Sequence, residues 1–278
     1  TTNILSDRNV AIGNFALATH NQATSIDSYN IAIGHDAGVA ITTGINNVII
    51  GGTAGDALTD ADSNTVVGRG ALSTDTLGSK STAIGQDALN VQNFTTATDT
   101  YNTAVGFAAG TRVTTGVNNT LTGGLAGDAI TTGAYNVAIG RSALSTNTAS
   151  NTNVAIGGQS LADFNVTTQT DTHNVAVGYA TGAAVTTGLR NTLIGGLSGD
   201  ALTDADFNVA LGYGSLSADT LGSRSTALGF NALSLQNFTT ATDSYNVAVG
   251  NQAGAAVTTG IDNTIMGGLA GDALTDAD

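Results

Sequence analysis

The sequence predicts an all-β fold, a parallel β-solenoid (β-roll) of 17- and 21-residue coils, and two regularities lead to this prediction. A pentapeptide of the type Asn-Val-Ala-Val-Gly, as at 246–250, recurs along the whole chain, with its closing glycine at residues 13, 34, 51, 68, 85, 106, 123, 140, 157, 178, 195, 212, 229, 250 and 267. The intervals between these glycines run 21, 17, 17 and 17 residues and then repeat, which gives a super-repeat of 72 residues. A strict period of this kind is typical of proteins that stack one structural unit per repeat.

The pentapeptide has the pattern of a short β-strand. The residue three before each closing glycine is Val, Ile or Thr, and the residue one before it is aliphatic except at Thr122. Such β-branched residues favour extended backbone, and these two side chains share one face of the strand. We expect that face to form the inside of the coil and the residue between them, Ala83 or Ile49 for example, to face outwards. A strand that is apolar on both faces must be covered on both, so we expect a second copy of the chain to cover the outer face.

Other positions of the coil form rows of like residues. Asn stands four residues before the closing glycine in every coil except two, which have Ser81 and Ser225. Stacked coils lie about 4.8 Å apart, so these amides are expected to hydrogen-bond along the stack as a ladder. Eight residues after the glycine, the 17-residue coils carry Thr, which predicts a hydroxyl ladder, and the 21-residue coils carry Asn. The four extra residues of the long coils are expected to form a loop after this point, as at 94–99.

The period also predicts the domain organisation. We expect residues 1–278 to form one continuous repeat rod, with super-repeats near 13–84, 85–156, 157–228 and 229–278, the last of them incomplete. Solenoids normally carry polar caps, and neither end of the sequence shows one, so we expect the chain to be a segment of a longer protein.

Composition and charge argue against several classes of protein. The net charge is −14 with Asp as the only acidic residue, and the seven Lys and Arg residues are scattered, so no basic stripe for nucleic acid is present. The sequence has no run of 18 apolar residues, so we expect no membrane span. The chain has no Cys and no Pro. No catalytic set, cofactor motif or metal-ligand set can be assembled, so we expect neither an enzyme nor a cofactor-binding protein.

An Asp-rich segment is the one candidate for a metal site. Asp60 and Asp62, like Asp204 and Asp206, alternate with other residues and are followed by Asn64 or Asn208, which resembles the start of a calcium loop. The central Gly and the bidentate Glu of such loops are missing, so an Asp-rich turn is the alternative. The Thr row raises ice binding as a further alternative, although the rows beside it are mixed.

Several isolated aromatic and histidine side chains are further candidates for a functional role. Tyr29, Tyr101, His173 and Tyr245 stand at the same place at the end of each long loop, where they could contact a sugar or a receptor or simply pack over their own turn. His20 and His35 are expected to be exposed and to have no function.

The segments Asn-Thr-Ala-Val-Gly (102–106), Ser-Thr-Ala-Ile-Gly (81–85) and Gly-Arg-Gly-Ala-Leu-Ser (68–73) resemble a known repeat class. They look like the Asn-Thr-Ala-Ile-Gly-x-x-Ala-Leu arrays of phage tail-fibre and related fibre proteins, over essentially the whole chain. More distantly, the chain is similar to the β-roll heads of trimeric autotransporter adhesins, whose coils are shorter. The resemblance implies a homotrimeric structural fibre or filament that is extracellular, on a cell surface or on a virion, and that serves adhesion or host contact through a receptor or glycan. A calcium- or ice-binding solenoid is the alternative function.

Overall fold

The computed structural model describes residues 6–276, and over these residues it is a parallel β-solenoid without helices. Each coil contributes one three-residue strand, which ends directly before the closing glycine. Successive strands pair in parallel and without a shift in register, so that Val154, Ala155 and Ile156 lie opposite Val175, Ala176 and Val177. The predicted fold class is therefore confirmed.

Residues 1–135 form one compact unit. Its main strands pair in the order β2 (Val10–Ile12), β4 (Ile31–Ile33), β5 (Val48–Ile50), β6 (Thr65–Val67), β8 (Thr82–Ile84), β10 (Thr103–Val105) and β11 (Thr120–Thr122). Two-residue strands pair at the long coils, β1 (Ser6–Asp7) with β3 (Ile26–Asp27) and β7 (Gly78–Ser79) with β9 (Thr98–Asp99).

Residues 136–278 form a second unit of the same construction. Its main strands pair in the order β12 (Val137–Ile139), β13 (Val154–Ile156), β14 (Val175–Val177), β15 (Thr192–Ile194), β16 (Val209–Leu211), β18 (Thr226–Leu228), β20 (Val247–Val249) and β21 (Thr264–Met266). The short strands β17 (Gly222–Ser223) and β19 (Thr242–Asp243) pair with each other, and Asn151 and Asp171 form an isolated bridge.

The assignment of the strand faces from the sequence was wrong. In β10 the middle residue, Ala104, is completely buried, whereas Thr103 and Val105 on either side of it are partly exposed. The same pattern holds in most other strands, so the Ala row faces the interior and the β-branched and aliphatic rows face outwards. The outward-facing rows therefore carry larger side chains than the alanine row expected there.

The physical reason is the narrow interior of the coil, which is filled from the side opposite the strand. Leucines four residues after the closing glycine, such as Leu89 and Leu144, are completely buried, and the strands of the same coils carry the buried alanines Ala83 and Ala138. Where the strand carries a large residue, as at Ile49, that opposite position is glycine. A Cβ on Gly38 would lie 3.0 Å from Cδ1 of Ile49, and a Cβ on Gly55 would lie 3.4 Å from the same atom.

The Asn column is confirmed, with most of its hydrogen bonds made to the backbone. Asn47 is completely buried, and its Nδ2 donates to the carbonyl oxygen of Ala61 at 2.7 Å and to Oδ1 of Asn30 at 3.2 Å. The backbone N–H of Asn64 donates to Oδ1 of Asn47 at 2.9 Å. Each buried amide thus joins three successive coils, and each such bond stabilises the fold by about 1 kcal/mol.

The Thr row also forms the predicted ladder. Oγ1 of Thr59 donates to the carbonyl oxygen of Thr76 at 3.1 Å, and Oγ1 of Thr76 donates to that of Phe94 at 2.8 Å. The loop predicted at 94–99 is shorter than expected, because Phe94 is buried in the interior and Thr98 and Asp99 form strand β9.

Candidate interaction surface

The outward surface of the strands is the most distinctive exposed feature of each unit. We call it the sheet face and define it as the positions five, three and one before, and one after, each closing glycine. The two positions within the strands carry only Val, Ile, Leu, Met and Thr, so they are free of charge in all coils. In strand β16 the exposed fractions reach 37% for Val209 and 49% for Leu211.

Charges are distributed unevenly between the sheet face and the rest of the coil. Of the 21 Asp residues in the sequence, only Asp262 occupies a sheet-face position. Six of the seven basic residues occupy the two edge positions, namely Arg8, Arg69, Lys80, Arg141, Arg190 and Arg224. The strong negative charge of the chain therefore comes from side chains outside the sheet face.

The residue five before each closing glycine, at the edge of the sheet face, has a left-handed backbone conformation. In three coils this residue is a cation that lies beside an aspartate and a tyrosine of the next coil. Lys80 Nζ lies 2.5 Å from Oδ2 of Asp99 and 5.2 Å from the ring centre of Tyr101. The hydrogen bond from Lys80 lowers the pKa of the Asp99 carboxyl, and the same bond raises the pKa of the Lys80 ammonium. Arg8 and Arg224 make the equivalent ion pairs, each at 3.0 Å, so three edge cations are neutralised within the chain.

The tyrosines predicted to stand at the ends of the long loops pack over their own turns and leave their rings half exposed. The hydroxyl groups of Tyr29, Tyr101 and Tyr245 each donate to an aspartate two residues earlier, at 3.3 to 3.4 Å, so each ring packs over its own turn. The rings are nevertheless about half exposed, between 47% and 53%. His173, at the equivalent place, is also exposed.

A cluster of large apolar side chains stands out on the sheet face of the second unit. We call it the aromatic patch and define it as Phe207, Leu211, Tyr213 and Phe230. The rings of Tyr213 and Phe230 are stacked, with their centres 6.0 Å apart and their planes inclined by 13°. Phe207 lies beside two guanidinium groups, with its ring centre 4.8 Å from Cζ of Arg224 and 5.4 Å from Cζ of Arg190. The sequence reasoning missed this patch because it placed Leu211 on the inner face and assigned no face to Phe207, Tyr213 and Phe230.

The Asp-rich segments proposed as calcium sites are used for bonds between coils. Oδ1 of Asp60 accepts a hydrogen bond from Oγ1 of Thr43 at 2.5 Å, and Oδ1 of Asp62 accepts one from the backbone N–H of Ile45 at 2.8 Å. Asp204 and Asp206 make the equivalent bonds, both at 2.6 Å. These bonds aim the carboxylates at the preceding coil. Over residues 6–276 no three potential His, Cys, Asp or Glu ligands come together, and the last two residues of the third copy, at 277–278, lie outside the described part.

The two isolated histidines differ in their surroundings. His35 is exposed as predicted, and its Nδ1 lies 3.1 Å from Oδ2 of Asp36. The prediction for His20 was wrong, because only 2% of this residue is exposed. It stands seven residues after the closing glycine, an interior position that Ile41 and Val113 fill in other coils, and burial lowers the pKa of its imidazole.

A buried polar network explains why two coils have Ser instead of Asn. The carboxylate of Asp219 accepts hydrogen bonds from the backbone N–H groups of Gly222 and Phe238 and, at 2.6 Å, from Nε2 of Gln236. Gln236 also donates to Oγ of Ser225 at 2.9 Å and accepts from Nδ2 of Asn246 at 2.8 Å. The glutamine thus takes the place of the missing amide. Burial raises the pKa of Asp219, and the hydrogen bonds from Gln236 and the backbone oppose that shift.

The same network occurs in the first unit with Asp75, Gln92 and Ser81. Asp, Ser and Gln occur together at the same spacings in both places, and the two sets are 144 residues apart. This repetition was the signal in the sequence that could have revealed the network.

In a second set of partly buried carboxyl groups, one oxygen atom of each has no hydrogen-bond partner. Asp56, Asp128 and Asp200 stand at the same place, five residues after a closing glycine, and Oδ1 of each is buried without a hydrogen-bond partner. Burial raises the pKa of all three carboxyl groups. The sequence shows their repetition but not their burial.

Over the described residues, the structure has no helix of the length and hydropathy needed to cross a membrane. Comparison of the chain with protein-family models, with curated proteins and with solved structures found no match.

Proposed function

We propose that this chain is a structural protein, the shaft of an extracellular or virion-associated fibre that assembles from copies of itself as a homotrimer and serves adhesion or host contact. The observation that carries the proposal is the sheet face, whose strand positions are uncharged in every coil although the chain has a net charge of −14. A regular apolar sheet surface is more favourable when it is covered. An acidic chain approaches its own copies most easily through the face that carries the fewest carboxylates, here Asp262 alone.

The bonding between coils supports a mechanical role. Each coil is held to the next by parallel strand pairing, by the buried Asn column and by the Thr ladder. These bonds all join neighbouring coils, so the same small set of interactions is repeated along the stack. The buried carboxylate of Asp219 fits this structural role, because its hydrogen bonds with Gln236 and Phe238 join neighbouring coils in the interior.

Adhesion is the second half of the proposal, and the half-exposed tyrosines support it. Tyr29, Tyr101 and Tyr245 each present a ring and a hydroxyl group at the end of a long loop. Aromatic side chains with a polar tip are enriched where proteins contact partners, and their ring faces suit sugar rings. Binding of the labelled chain to an array of cell-surface glycans tests this half, and saturable binding that weakens in a Tyr101→Ser variant is the expected result. Absence of binding to any glycan would remove the glycan as the contact and leave the fibre.

The self-assembly is tested by the mass of the particle in solution. Light scattering on the 278-residue chain over a range of concentrations is expected to give three times the chain mass of 27.4 kDa. A mass of one chain at every concentration would overturn the proposal.

A further inference from the structure

The chain contains an internal comparison that shows which residues the fold tolerates at equivalent positions. Residues 195–237 repeat residues 51–93 at a distance of 144 residues. Two turn segments are identical in the two copies, Gly-Asp-Ala-Leu-Thr-Asp-Ala-Asp at 55–62 and 199–206 and Asp-Thr-Leu-Gly-Ser at 75–79 and 219–223. The interior changes only among small or medium residues, in the buried pairs Ala54 and Ser198, Val66 and Ala210, and Ala71 and Ser215. Both copies form the same coils with the same parallel pairing.

The sheet face differs between the two copies, and in one direction. Small, polar or charged residues of the first copy are replaced by larger apolar residues in the second, in the pairs Ser63 and Phe207, Val67 and Leu211, Arg69 and Tyr213, and Gln86 and Phe230. These four second-copy residues are the aromatic patch. Because the first copy folds without them, the solenoid itself does not require them.

The exposed area of the aromatic patch is similar to that of the largest apolar patch on a typical soluble monomer. The exposed fractions of its side chains are 39% for Phe207, 49% for Leu211, 55% for Tyr213 and 45% for Phe230. With about 200 Å² for each such side chain, the patch exposes on the order of 350 Å² of mostly apolar surface. The largest apolar patch of a soluble protein is often functional.

The position of the patch within its unit matches that of an interface centre. Strand β16, which carries Leu211, is the fifth of the eight main strands of the second unit, and β18 is the sixth. Eight strands lie about 4.8 Å apart, and each sheet-face row, from five residues before the glycine to one after it, is roughly 20 Å long. The sheet face of this unit therefore has an area of roughly 770 Å². A standard protein interface buries about 800 Å² on each partner, with its strongest contacts near its centre.

We propose that the aromatic patch is the centre of the contact between copies of this chain, and that the sheet face of residues 136–276 packs against the same surface of the other copies. This inference rests on the self-assembly proposed above and names the surface responsible for it. A second copy fits this surface for two reasons. It presents apolar side chains at the same strand spacing, so that the rows of both copies can interdigitate along their length. It also brings no carboxylate into the strand positions, where burial of an unpaired charge would oppose association.

The internal comparison also supplies the test, a variant with residues that this solenoid already tolerates at the equivalent positions. The substitutions are Phe207→Ser, Leu211→Val, Tyr213→Arg and Phe230→Gln. The control is Leu235→Thr, which removes an exposed leucine outside the sheet face at a position where Thr19 and Thr74 occur in other coils. Both proteins and the wild type are compared by sedimentation velocity over a range of concentrations, with circular dichroism and thermal melting under conditions of complete dissociation.

The fourfold variant is expected to associate at least about 100-fold more weakly than the wild type, since it loses several central contacts. Its circular dichroism spectrum is expected to be unchanged, and Leu235→Thr is expected to associate like the wild type. A fourfold variant that folds and associates as strongly as the wild type would overturn the assignment of the surface and leave the proposed fibre intact. A wild type that remains a single chain at every concentration would overturn both.

Discussion

Gly106 and Gly123 lie in direct backbone contact at equivalent corners of neighbouring coils. A Cβ on Gly106 would lie 2.5 Å from the carbonyl oxygen of Gly123 and 2.6 Å from its carbonyl carbon, and Gly106 has a φ of 142°. Both the contact and the conformation exclude a side chain. The closing glycine is therefore needed for the distance between coils as well as for the turn.

Gly106→Ala is expected to destabilise the protein by about 3 kcal/mol or more, because the new methyl group meets backbone atoms that cannot move without separating the coils. Gly124→Ala is the matched control, since a Cβ there has no atom within 4 Å. We expect the control to change the free energy of unfolding by less than about 0.5 kcal/mol. Urea denaturation of both variants checks the difference, and equal effects would contradict the contact between glycines as the cause.

Much of this architecture could be predicted from the sequence because it follows from the period. A row of identical residues, one per coil, requires that those residues occupy the same place in the coil. The closing glycines, the Asn column around Asn47 and the hydroxyl ladder through Thr59 were all predictable for this reason.

The direction of the side chains was not predictable from the period. Val48 and Ile50 are the residues expected inside by size and apolar character, yet Ile49 between them is the buried one. The strand has two apolar faces, and the choice depends on how much room the opposite wall leaves, which here is set by Gly38 and Gly55. The burial of His20 and the partners of Asp219 depend on the same three-dimensional detail.

The Asn column predicts a large effect from the loss of one amide. Asn191 is completely buried, its Nδ2 donates to the carbonyl oxygen of Ala205 at 2.7 Å, and its Oδ1 accepts from the backbone N–H of Asn208 at 3.0 Å. Asn191→Ala leaves both backbone groups without these partners, so we expect a loss of about 2–4 kcal/mol in the free energy of unfolding. Asn251→Ala, at an exposed position, is the control and is expected to change it by less than about 0.5 kcal/mol. Similar losses in the two variants would mean that the buried amide is not what matters.

The buried network predicts that Asp219 cannot be replaced by its own amide. In Asp219→Asn one oxygen can still accept from the backbone N–H groups of Gly222 and Phe238, but the new amide nitrogen then faces Nε2 of Gln236. Turning the glutamine over would place its nitrogen against Nδ2 of Asn246. We expect a loss of about 1–3 kcal/mol, measured by urea denaturation.

The coils at the junction of the second and third super-repeats contain a different buried network at this place, and it supplies the matching rescue. At the equivalent positions these coils carry Asn147, Ser150, Asn153 and a completely buried Phe164. A Cβ at position 222 would lie 2.7 Å from Cδ2 of Phe238, where the donor coils carry Val166, so the transfer must include position 238. Transfer of the set to positions 219, 222, 225 and 236, together with Phe238→Val, is expected to recover more than half of the stability lost in Asp219→Asn. A transferred set that is no more stable than the single variant would show that the two networks are not interchangeable.

The partly buried carboxyl group of Asp200 predicts a pH-dependent effect. Burial raises its folded-state pKa above the usual value of 3.8, so the ionised form is penalised only in the folded protein. Below pH 3.8 the group is protonated in both states and the penalty is absent; it develops as the pH rises through the folded-state pKa and is complete at pH 7. Asp200→Asn is therefore expected to raise the melting temperature by about 1–3 °C at pH 7, an estimate kept small because the group is partly solvated, and to have almost no effect at pH 3.

Asp163→Asn controls for the change in net charge, since it removes one carboxylate from an exposed position of the same unit. Thermal melts of both variants and the wild type between pH 3 and pH 7 give the comparison. Because Asp163 is exposed, its replacement relieves no burial penalty, and only the general relief of repulsion in a chain of net charge −14 should appear. An advantage of Asp200→Asn that grows towards low pH, or one that Asp163→Asn matches at every pH, would show that burial of the Asp200 carboxylate does not destabilise the fold.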